Sequence, residues 1–588
     1  MNFKERQLPI YLRWFHGLFR NTMQSPWKMV AARFFSNRIA VLGLVTFVLL
    51  FSSVMVLPFF YPLQKSYQEV TQQNVSPGRN LMSYPKELKG DVKQIAVGST
   101  FSVAINSKGK VLLWGKYPAS VGAIPQGMGK VIQISAGLNH VLALNEDGEL
   151  FCWGSNRFHQ LEVPDEMPRL TSNCQILAGN QYSIVVTDKG VIYAWGNQNL
   201  LDFTADEYQG RIKKVAANTG VVLGLLDSDE VVLLGRREGS FSDIPQLSDV
   251  VDLALTAQTA YVLRADGSLS EWGYEGVRIV QIPQMEQGEK FISLASGRYH
   301  ITAISNLGRV SCYGKDQFGA AKVSRSLEGK KCKEVYSGYY QNYAVMEDGN
   351  IQTWGLKGYL FGTDGYGRDI FTRFLHGGRL TMTIGGVAVL IQTVIGIVIG
   401  GIAGYYGGKV DNLLMRFTEI VNSLPFLPFA MILSALLGNR LTQMQRIYMI
   451  MVVLGVISWP GMARLVRAQM LTEKSKEFVT AAKVLGVREF KIIFRHILPN
   501  VLSFVIVSAT GSFAASMLTE SSLSFLGFGV IEPSPTWGNM LTGSQSSTVI
   551  VTYWWRWVFA AAALSLATIS INLIGDGLRG AIDPKQDC

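Results

Sequence analysis

Apolar residues concentrate at the two ends of this chain and leave a polar, glycine-rich middle. Residues 39–61 carry no charged side chain, and a helix of this length can cross a hydrocarbon core of about 30 Å. The C-terminal third holds five more apolar stretches, so the pattern predicts six transmembrane helices. The five stretches lie at about 380–404, 418–437, 447–463, 501–519 and 553–575.

The polar middle, residues 84–355, is a repeat. Seven segments end on a glycine, and these glycines recur about every 40 residues, the period of propeller blades. Alternating apolar positions separated by Asp-Gly or Lys-Gly turns predict antiparallel hairpins. We therefore expect an all-β, seven-bladed propeller inserted into an α-helical membrane domain, with residues 83–90 as an edge strand of the last blade. The closing glycines are Gly115, Gly154, Gly196, Gly235, Gly273, Gly314 and Gly355.

The chain thus divides into five segments. In the first, Trp27, Val30, Ala31 and Phe34 fall on one helical face opposite Lys28 and Arg33, which predicts an amphipathic helix on the membrane surface. The predicted segments are the N-terminal segment 1–38, transmembrane helix 1 over 39–61, a linker over 62–83, the propeller over 84–355 and a helical domain over 356–588.

Charge placement orients these segments. The formal net charge is +11, from 54 Lys and Arg against 43 Asp and Glu. Basic residues cluster before the first span and within 462–499, whereas 525–552 contains none. Because basic flanks stay cytoplasmic, we expect both termini and 462–499 inside and the propeller outside. Since these charges adjoin apolar runs, nucleic-acid binding is not expected.

Four cysteines form two pairs at equivalent repeat positions, Cys152 with Cys174 and Cys312 with Cys332. In each pair, one cysteine precedes a closing aromatic-Gly and the other leads into the next blade. An extracytoplasmic location permits disulfides, so two inter-blade disulfides and four buried free thiols are the alternatives.

Other candidate residues carry weaker signals. His140 and His300 occupy equivalent repeat positions, which spread around a ring instead of converging, so we expect structural histidines and no metal site. Glu419, Glu520 and Asp576 are the acidic residues nearest the spans. Ionisable groups within a membrane are candidates for function, and Glu520 is our candidate for a pathway-facing role.

The loop 477–500 reads EFVTAAKVLGVREFKIIFRHILPN. It resembles the signature loop of binding-protein-dependent importers, which has Glu-Ala-Ala, three further residues, a glycine, and then about nine residues before an apolar-Leu-Pro. The resemblance implies that loop 477–499 docks on a cytoplasmic ATPase as two short helices hinged at the glycine. The matching residues are Ala481, Ala482, Gly486, Ile497, Leu498 and Pro499, and Thr480 replaces the usual Glu.

Four further segments, 25–44, 361–385, 520–541 and 573–584, resemble C-type permease subunits of the dipeptide/oligopeptide (peptide/nickel) ABC importers. The repeats resemble those of the regulator-of-chromosome-condensation family. The first resemblance implies a type I ABC importer fold, a second permease subunit, two ATPase subunits, a solute-binding protein and a peptide substrate. The chain itself has no P-loop, so we expect it to bind no cofactor and to leave ATP hydrolysis to its partners.

Two roles remain open for the whole chain. In the first, it forms half of a translocation pathway, and the propeller docks the solute-binding protein or another partner. In the alternative, it is a membrane-anchored receptor or adhesion protein that displays a ligand-binding propeller. Nucleotide exchange on a small GTPase would rest on fold analogy alone.

Overall fold

The computed structural model describes residues 26–61, 63, 66–200, 205–218, 220–235, 241–274, 278–280, 285–437 and 440–582. The chain forms two compact units. A helical unit combines Met1–Gln68 with Arg368–Cys588, and a β unit comprises Glu69–Gly367. Arg6, Arg13 and Arg20, three of the basic residues before the first span, and the fifth cysteine, Cys588, lie outside the described residues.

The helical unit contains long helices joined by short ones. Within the described residues, five of them are long and apolar enough to cross a membrane. The helices are α1 (Pro26–Ser36), α2 (Arg38–Val56), α3 (Ile370–Tyr406), α4 (Gly408–Ser423), α5 (Phe426–Leu437), α6 (Gln443–Lys474), α7 (Glu477–Val484), α8 (Glu489–Lys491), α9 (Leu498–Phe525), α10 (Trp537–Met540), α11 (Ser547–Thr552) and α12 (Trp555–Ile582). A short 3₁₀ turn, Leu57–Phe59, extends α2, and a π-helical turn, Ile492–Ile497, joins α8 to α9.

The predicted span 418–437 is not one helix. Helices α4 and α5 bend by 70° at a break, and they count as a sixth span only if the bent pair crosses once. The break lies at Leu424, which has extended backbone angles (φ −71°, ψ 118°) and precedes Pro425. Proline disfavours the helical conformation of the residue before it, which explains the interruption.

Glycines let α3 approach α6 closely. A Cβ atom on Gly400 would lie 2.3 Å from the carbonyl oxygen of Ala463, and one on Gly396 would lie 2.5 Å from Met462 Cγ. Glycines spaced by four residues form one face of a helix, a common means of packing membrane helices. At the other end of the unit, Phe34 of α1 packs with Ala581 of α12, so α1 is held by protein as well as being amphipathic.

The described residues of the β unit form seven antiparallel sheets, one for each sequence repeat. Six have three strands, and the fifth has four. The strands are β1 (Gln94–Val97), β2 (Phe101–Ile105), β3 (Val111–Gly115), β4 (Val131–Ala136), β5 (His140–Asn145), β6 (Leu150–Gly154), β7 (Gln175–Ala178), β8 (Tyr182–Val186), β9 (Ile192–Gly196), β10 (Ile212–Ala217), β11 (Val222–Leu226), β12 (Val231–Leu234), β13 (Val250–Leu255), β14 (Thr259–Arg264), β15 (Leu269–Gly273), β16 (Arg278–Ile279), β17 (Phe291–Ser296), β18 (His300–Ser305), β19 (Val310–Gly314), β20 (Cys332–Ser337), β21 (Gln341–Met346) and β22 (Ile351–Gly355).

The closing glycine of each repeat has a geometric reason. Gly154 pairs with His140, the first residue of the middle strand, and has a φ of +121°. A Cβ atom on Gly154 would lie 2.5 Å from the carbonyl oxygen of Asn139. A larger residue at this position therefore meets both backbone strain and a clash with the neighbouring strand.

Apolar cores lie between consecutive sheets, and the seventh sheet packs on the first. The hydroxyl of Tyr343 (β21) lies 3.0 Å from Ser102 Oγ (β2) and accepts a hydrogen bond from Trp114 Nε1 (β3) at 3.0 Å. These contacts join residues more than 200 positions apart and close the seven sheets into a β-propeller.

The edge strand predicted at 83–90 is absent. Instead, Lys86–Leu88 form a 3₁₀ turn, and Pro85 lacks the N–H group that a sheet ladder requires. The segment still contributes to closure, because Leu88 is fully buried with Tyr343 and Ile351. It fills the junction of the first and last blades by packing.

The two linkers of the β unit run side by side. Thr363 N donates to the Val75 carbonyl oxygen at 2.9 Å, and Gly78 forms an antiparallel bridge with Tyr359. We call residues 69–81 and 357–367 the paired linkers. They lie within the β unit, which is therefore wider at both ends than the predicted propeller segment 84–355.

Candidate functional site

The loop between α6 and α9 contains the residues that match the importer signature. Helix α7 ends at Val484, and α8 begins at Glu489. Gly486 lies between them with a φ of +71°, a conformation that favours glycine. The loop therefore has two helical segments on either side of this glycine.

One face of the loop is anchored in the helical unit. Val479, Ile492 and Ile497 are fully buried in one apolar cluster with Met470 of α6 and Val501 of α9. Ala482 is also buried there, whereas Thr480, Ala481 and Pro499 are exposed and Leu498 is half-buried. Only part of the signature therefore faces outward.

The outward face is apolar, which sequence reasoning missed. Val484 and Leu485 are 82% and 80% exposed, and Phe490 is 70% exposed. The Phe490 and Phe494 ring centroids lie 4.5 Å apart, with the ring planes tilted by 37°. Three large apolar side chains exposed on one short loop form a patch of the kind that marks a protein contact. The signal was present in the run KVLGVREF, where large apolar residues are interspersed with charged ones.

Polar contacts hold the ends of this loop. The buried carboxylate of Glu473, near the end of α6, accepts hydrogen bonds from Lys476 Nζ (2.5 Å) and Asn500 Nδ2 (3.0 Å). Arg467 of α6 pairs with Asp411 of α4 through both of its carboxylate oxygens. The loop thus starts and ends on a network that joins α6 to α9.

Glu520 does not line a surface in the structure, contrary to the expectation of a pathway-facing role. Its side chain is fully buried on α9 and accepts hydrogen bonds from Ser524 Oγ (2.7 Å) and Thr381 Oγ1 (3.0 Å). Thr381 Oγ1 also accepts from the main-chain nitrogen of Trp537 at 3.2 Å. Glu520 therefore ties α3, α9 and α10 together. Glu419, by contrast, is exposed and pairs with Arg416 (2.9 Å).

The four cysteines of the propeller are free thiols in the structure, which corresponds to the second of the two alternatives left open by the sequence. Each pair nevertheless shares one apolar cluster. Cys332 Sγ contacts Met346 Sδ at 3.5 Å, and Cys174 Sγ accepts from Thr171 N at 3.4 Å. Burial raises the pKa of Cys152 to about 12 and that of Cys312 to about 11, which leaves both thiols protonated and unreactive at neutral pH.

The two repeat histidines bridge neighbouring blades. His140 Nε2 lies 3.0 Å from Ser183 Oγ, and His300 Nε2 lies 2.7 Å from Asn342 Oδ1. Burial lowers the pKa of His140 to about 4 and also lowers that of His300, so both rings are neutral at pH 7. Within the described part of the chain, no group of three or more His, Cys, Asp and Glu is arranged to hold a metal ion.

The propeller has a cavity of about 330 Å³ on its axis, lined by the inner strands of all seven sheets. Arg298, Tyr339 and Asn180 line it. Arg298 lies over the rings of Tyr299 and Tyr339 and pairs with the buried Glu69 at 3.5 Å. The Tyr340 hydroxyl also donates to Glu69 (2.6 Å), so the entering linker is held near this cavity.

Comparison with known families defines the class of the helical unit. Residues 396–587 match the model of the binding-protein-dependent transport system inner membrane component. Residues 25–78 match the N-terminal TM domain of oligopeptide transport permease C, and residues 131–160 match a regulator of chromosome condensation (RCC1) repeat.

Individual relatives agree. The chain is 41% identical over 225 residues to the dipeptide transport system permease protein DppC of Bacillus subtilis, covering 38% of this chain and 68% of that one. It is 44% identical over 230 residues to the oligopeptide transport system permease protein OppC of Escherichia coli K12, covering 39% and 74%. The chain belongs to this family of peptide ABC importer permeases.

Solved structures similar to this chain include human WBSCR16 and Prp20p of Saccharomyces cerevisiae. The first has 17% identity and a TM-score of 0.37, and covers 44% of this chain and 87% of its own. The second has 17% identity and a TM-score of 0.30, and covers 51% and 82%.

Proposed function

We propose that this chain forms half of the translocation pathway of an ATP-driven peptide importer and couples to cytoplasmic ATPase subunits through loop 477–499. The proposal rests on one observation, that the loop has one apolar face buried in the helical unit and another exposed. Val479 and Ile497 are buried in the helical unit, while Val484, Leu485 and Phe490 are exposed. Buried anchors with an apolar outer face suit a loop that transmits force from a bound partner.

The experiment that tests the coupling role is co-purification of the ATPase subunits with a Val484→Asp variant. Val551 provides a matched control, because it is a valine of the same unit with 77% exposure against 82% for Val484. We expect V484D to lose the ATPase subunits and V551D to keep them. Retention of the ATPases by V484D would refute the proposal that this face of the loop binds them.

The family implies partner subunits, and we assign to them every step that uses ATP. On this proposal the complex contains a second permease subunit, two ATPase subunits and a solute-binding protein, and this chain binds no cofactor. Mass spectrometry of the complex, gently solubilised from its native membrane, tests the whole set. Absence of any ATPase would favour the alternative, a membrane-anchored receptor.

We also propose that loop 477–499 and both termini are cytoplasmic and that the propeller is extracytoplasmic. The placement of Lys and Arg supports this orientation, since 462–499 is basic and 525–552 has no basic residue. Protease added to right-side-out vesicles should then cut the propeller and spare the loop. The opposite cleavage pattern would invert the topology.

The propeller, in this proposal, is a docking or binding module for the solute-binding protein or another surface partner. Its support is the axial cavity of about 330 Å³, a size suited to a small ligand or a protruding side chain. Removal of the propeller should release an extracytoplasmic protein from the purified complex while the ATPases remain. If the same proteins co-purify without the propeller, the docking role is wrong.

A further inference from the structure

Tyr405 lies one residue before the end of α3, at the place where this helix reaches the loop described above. Its side chain is 3% exposed. It belongs to the same apolar cluster as Met470 of α6 and Val479 and Ala482 of α7. One side chain of α3 therefore contacts both the end of α6 and the proposed coupling helix.

Two lysine side chains lie against the Tyr405 ring. Lys474, the last residue of α6, and Lys483 of α7 each place Nζ 5.5 Å from the ring centroid. Lys474 Nζ also donates a hydrogen bond to the carbonyl oxygen of Tyr405. The face of an aromatic ring attracts cations at this range, and the attraction strengthens where water is excluded. The ring thus holds charges from α6 and α7 at one point.

The ring, and not the hydroxyl, makes these contacts. The Tyr405 hydroxyl is buried and has no hydrogen-bond partner within the part of the chain that the structure describes. The next residue, Tyr406, is 54% exposed, and its contact with Tyr405 is an edge-to-face one at 5.4 Å. The two adjacent tyrosines therefore offer a matched pair, one central to the contact and one peripheral.

We propose that Tyr405 is a positioning residue that clamps the coupling helix α7 to α3 through Lys474 and Lys483, so that displacement of the loop is carried into the first helix after the insertion. The inference rests on the proposed coupling role of loop 477–499 and adds the residue that receives its motion. Without the ring, α7 keeps its apolar anchors but loses the contact between Lys483 and α3.

The test uses the complete importer in proteoliposomes, with peptide uptake and ATP hydrolysis measured on the same sample. Tyr405→Leu should lower the amount of peptide transported per ATP by roughly fivefold or more, because two cation–ring contacts are lost. Tyr405→Phe retains the ring and should behave as wild type. Tyr406→Leu should also leave the ratio unchanged. An unchanged ratio in Y405L would overturn the proposal.

A second measurement keeps the test valid if Y405L accumulates poorly or if no ATPase binds. Lys474→Met together with Lys483→Met removes the cations and leaves the ring. Hydrogen exchange of the α7 amides in the full-length chain should then accelerate in the double variant, with or without ATPase subunits. Unchanged exchange would overturn the clamp. If exchange accelerates but the chain binds no ATPase, the clamp stands and the absence of ATPase binding refutes only the coupling role.

Discussion

The main-chain nitrogen of Glu69 donates a hydrogen bond to the carbonyl oxygen of Gly367 at 3.3 Å. These residues are the first and last of the β unit, so the chain enters and leaves it at one point. The pairing continues inward, since Asn74 N donates to the Asp364 carbonyl oxygen at 3.0 Å. Because the two ends of the insertion lie together, the chain segments on either side of it do not need to move apart to accommodate it.

Excision at this point should leave an intact permease. Replacing residues 70–366 with a short Gly-Ser linker should yield a chain that still inserts into the membrane, because its ends are already within hydrogen-bond distance. Membrane extraction and co-purification of the ATPase subunits would measure this. Loss of insertion would show that the β unit is required for folding of the helical unit.

A shorter deletion provides the control. Removing 84–355, the predicted propeller segment, leaves the paired linkers but takes away the blade residues that bury Met82. This variant should accumulate less well than the 70–366 deletion, because it exposes apolar surface that has lost its cover. Equal accumulation would mean that the linkers fold without the blades.

The propeller could be predicted from the sequence, and the paired linkers could not. Blade closure repeats seven times, so the regular spacing of Gly154 and its counterparts along the chain indicates the blades. The linkers occur once and therefore leave no repeat pattern. Val75 and Thr363 are 288 residues apart in the sequence, and only the fold brings them into contact. The strand predicted at 83–90 is wrong because Pro85 lacks the N–H group that a sheet ladder requires, and the segment contributes through the burial of Leu88 instead.

Gly486 should tolerate asparagine better than valine. Its φ of +71° is costly for a β-branched residue, by about 1–2 kcal/mol, whereas Asn adopts this conformation more readily. A Cβ atom here meets nothing within 4 Å, so neither substitution clashes within the chain. We expect Gly486→Val to transport less peptide per ATP and Gly486→Asn to stay close to wild type, with uptake and hydrolysis measured together. Equal ratios would show that the backbone conformation is unimportant for coupling.

Replacement of Glu520 should lower the stability of the helical unit more than it lowers peptide transport. Glu520→Ala would leave the buried hydroxyls of Thr381 and Ser524 without their acceptor, at a cost of about 1–3 kcal/mol. Thermal unfolding in detergent should shift downward, while uptake per inserted molecule should change little. Glu419→Ala is the control, because its exposed pair with Arg416 should contribute less than about 1 kcal/mol. A larger loss of uptake than of stability in E520A would restore the pathway role.

Helix positions in this unit were predictable, but the roles of individual side chains were less so. Hydropathy locates α3, α6, α9 and α12, yet it does not show the bend that Pro425 introduces between α4 and α5. Hydropathy also assigns Glu520 the same value whether its carboxylate is buried or exposed. Only the contacts with Thr381 and Ser524 distinguish a structural acid from one that lines a pathway.

The propeller should lose stability in mild acid through His140. Burial lowers the pKa of this side chain from 6.5 to about 4, so the unfolded chain binds a proton that the folded chain excludes. Stability is therefore complete above pH 6.5 and falls as the pH drops toward 4, by on the order of 3 kcal/mol. Hydrogen exchange of β5 in the full-length chain, corrected for intrinsic pH effects, should accelerate over this range.

The residue at the equivalent position of another blade suggests a substitution that tests the acid dependence. Gln341 occupies the position of His140 in the last blade, is equally buried and pairs with Gly355 as His140 pairs with Gly154. His140→Gln should therefore keep the fold and flatten the acid dependence of β5 exchange, with His300 accounting for what remains elsewhere in the ring. His159→Asn is the control, because His159 is exposed and its φ of +63° suits asparagine. If H140Q and H159N respond to acid alike, the buried imidazole is not the group that titrates.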